Sequence, residues 1–191
     1  MSTAENLKIT VSDYREMPEG PPYYQLIDGE LHMSPSPRSY HQQIIAKLST
    51  QLGSFLEDHA VGVYYPAPID VFLTDTNVYQ PDLLFVSKDR LPMVKKDGVH
   101  GAPDLVVEVL SPSTKKFDLG FKKKVYAVAG VVEYWIVDPD ACQVEVFHLR
   151  ASADHPDRTL TGGDTLSSDL LPDLEIDLEK VFADPLSLRE S

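Results

Sequence analysis

Two carboxylates stand in runs that leave little room for charge. The stretch PDLVVEVLSPS, residues 103–113, is apolar at Leu105, Val106, Val107, Val109 and Leu110 and carries Glu108 in its middle. The stretch QPDLLFV, residues 80–86, carries Asp82 in the same way. A carboxylate in a buried strand is costly unless something pairs with it. Side chains alternate along a strand, so Glu108 shares a face with Val106 and Leu110, and Asp82 with Leu84. Neighbouring strands would bring the two acids together, where they repel each other and both lose water. A divalent cation relieves both problems. Hard oxygen donors on rigid strands suit magnesium or manganese, and a backbone carbonyl such as that of Val109 would complete the protein's share of the ligands.

A lysine extends this set. The segment KKFDLGFKKKVYAVAG, residues 115–130, reads as a helix ended by Gly130. Phe121, Val125 and Val128 are expected to mark its buried stripe. Lys122 lies beside Phe121, with Val125 and Ala129 following on the same side, so it is the lysine expected to face the sheet. Two acids, a lysine and a metal suit attack of a metal-activated water on a phosphodiester, with the lysine orienting the water or stabilising charge. Spacing alone leaves a plainer reading open. Asp82, after Pro81, simply begins a strand; Glu108 pairs with Lys122 or Arg38 as a structural ion pair; Lys122 snorkels past the helix edge.

The elements that must position these residues follow from periodicity and turn chemistry. Thr10 and Asp13 resemble a capping box that opens a short helix, which the proline-rich stretch after Met17 breaks. Asp28-Gly29, between YYQLI and ELHM, signals a hairpin. Residues 39–58 form the clearest helix, with Ile44, Ile45, Leu48, Leu52, Phe55 and Leu56 on one face. Three strand-like runs follow: VGVYYPAPIDVFL, VYQPDLLFVS and the stretch around Glu108. LPMVKKDGVHGAP reads as a polar connection. After the Lys122 helix come two strands, VVEYWIVDP and QVEVFHL, then a loop over 150–168, then a short strand and a helical turn in LLPDLEIDLEKVF. Tyr134 and Trp135 are expected in the core or at an interface. The order predicts an α/β (α+β) fold, a mixed sheet flanked by helices with an N-terminal β-hairpin. One domain is expected over residues 10–182, with flexible tails at 1–9 and 183–191.

Composition narrows the function classes. Of 191 residues, 42% are hydrophobic and 25% charged, as in ordinary globular proteins. No apolar run is long enough to span a bilayer, and MSTAENLKIT has no apolar signal core. Cys142 is the only cysteine, which excludes an intrachain disulfide and a zinc-thiolate cluster. A cytoplasmic protein is expected. The net charge of -13 argues against non-specific coating of nucleic acid. The charge is uneven, however. Residues 151–191 hold ten acids and three cations, whereas 88–124 hold nine cations and five acids. The basic stretch is either a solvated face or a region that steers a polyanion. No nucleophile elbow surrounds Ser111 or Ser113, which suit the turn into the helix. P-loop, dinucleotide and zinc signatures are missing.

QPDLLFV, PDLVVEVLSPS and the segment ending YAVAGVVEYWIVDP together resemble the Uma-two family of proposed endonucleases, a domain of unknown function. YYQLIDGELHMSPSP and a helix containing His41 also match its usual opening, and the resemblance covers roughly residues 10–182. The family looks like a branch of the restriction-endonuclease-like superfamily, with its PD…(D/E)-x-K hallmark and a core of helix, three strands, helix and strand. By position, Pro81-Asp82 is the PD element and Glu108-Val109-Leu110 the second element, with Leu110 where lysine is expected; Lys122 matches the migrated lysine. The resemblance implies a DNA nuclease using magnesium or manganese, with Asp82, Glu108 and Lys122 at its centre and Glu30, after the hairpin turn, as a further acid. Glu30 reads equally well as a solvated turn residue, and His41 as a surface or capping contact. Gln25 stands where relatives often carry glutamate, which speaks against a role there. A homodimer through strand or aromatic surface near Trp135 is a further expectation. The alternative function is a non-catalytic module binding nucleic acid or a protein partner on the same fold.

Overall fold

The structure is a computed structural model that describes residues 8–185 apart from 19, 35, 113, 114 and 116. Helix α1 (Val11–Arg15) opens with the expected capping box. The Thr10 hydroxyl accepts from the Asp13 N–H, and the Asp13 carboxylate accepts from the Thr10 N–H at 2.8 Å. Asp28 and Gly29, at φ 50° and 80°, turn β1 (Tyr24–Ile27) into β2 (Glu30–Met33). Lys8 and Ile9 are tied to that turn, through Asp28 and the Gly29 carbonyl. The remainder of the expected tails, 1–7 and 186–191, lies outside the described residues, as does Ser113. Helix α2 (Ser39–Asp58) buries Tyr40, Ile44, Ile45, Leu48 and Leu52.

Strands β3 (Gly62–Pro66), β4 (Val71–Thr74), β5 (Asn77–Tyr79), β6 (Leu83–Ser87), β7 (Val94–Lys95), β8 (Gly98–His100) and β9 (Leu105–Val109) follow. They replace the three runs read from the sequence. Prolines cannot donate to a ladder, so the first run splits after Pro66 and the second splits at Pro81. The expected polar connection contains a hairpin, β7–β8, turning at Lys96-Asp97. After α3 (Lys123–Ala129) come β10 (Glu133–Asp138), β11 (Gln143–His148), β12 (Arg158–Thr161), β13 (Thr165–Leu166), β14 (Ile176–Asp177) and α4 (Leu178–Phe182). Two short strands, β12 and β13, therefore stand in what reads as loop.

The central sheet runs β12-β11-β10-β9-β6-β3, mixed because β9 and β10 are parallel. A second sheet runs β2-β1-β5-β4-β8-β7. Alternation along β9 sorts the two sides of the central sheet. Val107 and Val109 pack with α2, Trp135 and the C-terminal segment. Val106 and Leu110 pack with Tyr126, Tyr134 and Tyr79 on the opposite side. Glu108 therefore faces α3. Trp135 is wholly buried, its indole N–H donating to Glu133 at 2.6 Å, so it offers no surface to a second copy.

The helix carrying Lys122 differs from expectation in phase. A π-helical turn, Phe117–Lys122, precedes α3. Phe121 is 39% exposed and Val128 90% exposed, whereas Asp118, Lys122 and Tyr126 are buried. The inward stripe is thus Asp118, Lys122, Tyr126, four residues apart each time, and Lys122 points inward as part of a polar stripe rather than beside an apolar one. Gly130, at φ 100°, ends the helix as expected. Among the described residues no helix is long and apolar enough to cross a membrane.

Candidate active site

Leu83 pairs with Val107 in the antiparallel β6–β9 ladder. Asp82 and Glu108 are the next residues outward on the two chains, Asp82 just before β6 and Glu108 within β9 on the side of α3. Asp82 is fixed by its neighbour strand: its Oδ2 accepts the Val109 N–H at 2.7 Å. Its position thus depends on the end of a ladder whose Val, Leu and Phe residues form the core, a rigid mount for a charged group.

His41, near the start of α2, closes this end of the sheet. Its Nε2 lies 2.9 Å from the Val109 carbonyl oxygen and 3.3 Å from Asp82 Oδ2. Both partners are acceptors, so Nε2 carries a proton. Nδ1 is buried without a hydrogen-bond partner among the described residues. Burial works against a charged ring, but Asp82 and the Val109 carbonyl outweigh it and hold the His41 pKa above its ordinary value.

Glu108 lies in a cage of donors. Its Oε1 accepts from Lys122 Nζ at 3.1 Å and from the Tyr126 hydroxyl at 3.0 Å. Lys122 Nζ also lies 3.0 Å from Asp118 Oδ1, and Tyr134 donates to the Asp118 carbonyl at 3.1 Å. Burial pushes the Glu108 carboxyl up to about 8; Lys122 opposes the rise, while Asp118 and Asp82 add to it. Burial disfavours the Lys122 ammonium, but Glu108 and Asp118 outweigh it and hold its pKa above the usual lysine value. Lys122 is therefore a cation at neutral pH, not a base. Arg38, the other expected partner of Glu108, lines the cavity beside it without taking Lys122's place.

A cavity of about 400 Å³ opens over these groups, lined by His41, Asp82, Glu108, Lys122, Gln25 and Ser111 among others. Asp82, Glu108, Val109 and Lys122 thus come together. Glu30 does not join them: its carboxylate is 75% exposed and 3.9 Å from His32 on the hairpin. Gln25, which its residue type spoke against, lines the cavity and accepts the Gln80 N–H at 3.2 Å. Sequence periodicity does not mark Asp118 and Tyr126. Their spacing to Lys122 is visible in the chain, but the apolar residues at 121, 125 and 128 compete for the same helix.

Among the described residues no three His, Cys, Asp or Glu side chains stand ready to enclose a metal. The donor set still fits a magnesium-type ion. Such ions are commonly held by one or two carboxylates and complete their shell with water and substrate phosphate. The described hydrogen bonds fall on Asp82 Oδ2 and Glu108 Oε1, which leaves the second oxygen of each carboxylate for a cation.

The fold is that of a mixed α+β protein, with multi-stranded sheets flanked by helices and this cavity at the end of one of them. A structure described as "a putative nuclease belonging to DUF820" from Anabaena variabilis superposes with a TM-score of 0.75 at 19% identity, over 91% of this chain and 97% of that one. Residues 11–179 match the family Uma2, described as "Putative restriction endonuclease", and the chain belongs to that family. An uncharacterised protein of Synechocystis, slr1290, is 27% identical over 137 residues, 69% of this chain and 68% of its own length.

Proposed function

We propose that the protein is a metal-dependent nuclease that hydrolyses phosphodiester bonds in DNA. The observation that carries this reading is the convergence of Asp82, Glu108 and a buried, charged Lys122 on one cavity at the end of the β6–β9 ladder. Asp82, Glu108 and the Val109 carbonyl would hold magnesium or manganese. Bound there, the ion would supply Lewis-acid stabilisation of charge developing on a phosphoryl oxygen.

The chain's own groups have separate tasks. An ammonium has three donors. One of Lys122's serves Glu108, Asp118 Oδ1 lies 3.0 Å from the same nitrogen as an ion-pair partner, and a remaining donor would serve a phosphoryl oxygen or the attacking water. Asp118 and Tyr126 fix the Lys122–Glu108 geometry from behind. His41 holds Asp82 and the Val109 carbonyl in place. Glu30 takes no part in this scheme.

The non-catalytic reading draws on one observation: Glu108 already has two partners and needs no metal to be satisfied. Calorimetric titration with manganese separates the two. The nuclease reading expects binding to the wild-type protein that is lost in Asp82→Ala and Glu108→Gln, each still folded. No binding to the wild-type protein would favour the non-catalytic module.

A further inference from the structure

A second cavity adjoins the one over Asp82 and Glu108. Tyr23, Pro68 and Gln80 line both, and the second cavity has a volume of about 560 Å³. It lies between the α1 segment and the second sheet, outside the groups used above.

Its lining has three kinds of chemistry. The walls are aromatic: Tyr23 is 42% exposed, and Tyr65 is half-buried. Phe72 lies there too, but the Arg15 guanidinium already covers its ring at 4.7 Å. On the lining is a held carboxylate. Asp70 Oδ1 accepts from Gln80 Nε2 at 2.8 Å, which orients it, and lies 3.2 Å from the Tyr14 hydroxyl, whose single proton is shared with the Tyr24 carbonyl at 2.7 Å. At the rim are two exposed lysines, Lys95 and Lys96, from the β7–β8 hairpin.

Aromatic faces, an oriented acceptor and rim cations are what an unstacked nucleotide requires. Its base stacks on tyrosine, its exocyclic amino group donates to a carboxylate, and its phosphate meets lysine. A volume of this size lies within the range of small-ligand pockets. The base of an intact duplex is stacked and paired and cannot enter such a pocket without being extruded. The charge balance points the same way. A chain of net charge -13 gains little from phosphate contacts alone, so affinity must come from stacking, which unpaired bases provide.

We propose that this second cavity is a nucleobase subsite for single-stranded nucleic acid, placing an unstacked base beside the Asp82–Glu108 cavity. The proposal names the substrate class of the nuclease reading and rests on it. Gln80 joins the two parts, since it lines both cavities and donates to Asp70.

The test is fluorescence anisotropy of a short labelled DNA oligonucleotide of mixed sequence, single-stranded or as a blunt duplex, with the full chain in EDTA. The single strand is expected to bind at least about tenfold more tightly than the duplex. Tyr23→Ala is expected to weaken single-strand binding about tenfold, and Tyr23→Phe to preserve it. Lys95→Glu with Lys96→Glu is expected to flatten the salt dependence of single-strand binding by about 0.7 for each phosphate no longer neutralised. Equal binding of both forms, no binding of either, or a Tyr23→Ala protein that binds like wild type would overturn the proposal. Because the assay contains no metal, it is independent of cleavage. Tight single-strand binding without any metal-dependent cutting would defeat the nuclease reading and leave the subsite standing; duplex cutting without single-strand preference would do the reverse.

Discussion

Lys122 Nζ lies 3.1 Å from Glu108 Oε1, and both side chains are only 4% exposed. The contact joins the helical segment before α3 to the end of β9, and Asp118 and Tyr126 complete it from the same helical face. A cation in such a place does two things at once: it compensates two buried acids and presents charge to the cavity.

Removing that cation leaves buried charge uncompensated. Above about pH 8, where Glu108 is ionised, Lys122→Met is expected to cost about 3–5 kcal/mol of stability, read by urea denaturation. Adding Glu108→Gln to it should restore part of the loss. A Lys122→Met protein as stable as wild type would mean that the pair is not the buried ion pair described.

Tyr126→Phe removes one donor from Glu108 and keeps the ring between Tyr79 and Tyr134. The expected cost is about 1–3 kcal/mol, for a buried acceptor that is deprived of a partner. Tyr134→Phe, which removes only a bond to the Asp118 carbonyl, should leave manganese affinity closer to wild type than Tyr126→Phe does.

Glu108 sets a pH dependence. Its folded pKa is raised from 4.5 to about 8, chiefly by burial. A raised folded pKa contributes stability that is fully present below about pH 4.5 and is lost as pH rises through about 8. Thermal melts of the metal-free protein over this interval should show that loss, and Glu108→Gln should flatten it. A cation needs the carboxylate, so manganese should bind more tightly at about pH 8 than at about pH 6 and release a proton on binding. Binding independent of pH would contradict this.

In the proposed site His41 would act on the ligands rather than on the substrate. Its Nε2 faces both the Val109 carbonyl and Asp82. His41→Ala is expected to weaken manganese binding about tenfold to a hundredfold, as loss of a group that orients ligands does, and His41→Gln to recover part of it. Tighter binding in His41→Ala would show instead that the histidine competes with the ion for Val109.

Much of this arrangement is legible in the sequence because strand alternation is a local rule. It puts Glu108 with Val106 and Leu110, and that face meets α3. The turn at Asp28-Gly29, the cap at Thr10 and the limits of α2 depend on short-range chemistry and read equally well. The helix around Lys122 does not. Phe121 and Val128 carry the apolar signal yet lie exposed, because the sheet offers this helix a carboxylate, Glu108, and polar groups answer it. That preference is tertiary and has no trace in local periodicity. Glu30 stands in the right chain order but on the solvent side of its hairpin, which the resemblance alone does not reveal. The second sheet is under-read because its strands are two to four residues long, shorter than an alternation pattern needs.

Asp82, Glu108 and Lys122 are proposed to form a metal-dependent phosphodiesterase site. The most direct test of that proposal is cleavage of single-stranded and plasmid DNA by the wild-type protein and by folded Glu108→Gln, each in magnesium, manganese and EDTA. Cutting by the wild-type protein that needs metal and disappears in Glu108→Gln is the expected result. Wild-type protein that binds manganese and DNA but never cuts, or a Glu108→Gln protein that cuts as well as wild type, would contradict it.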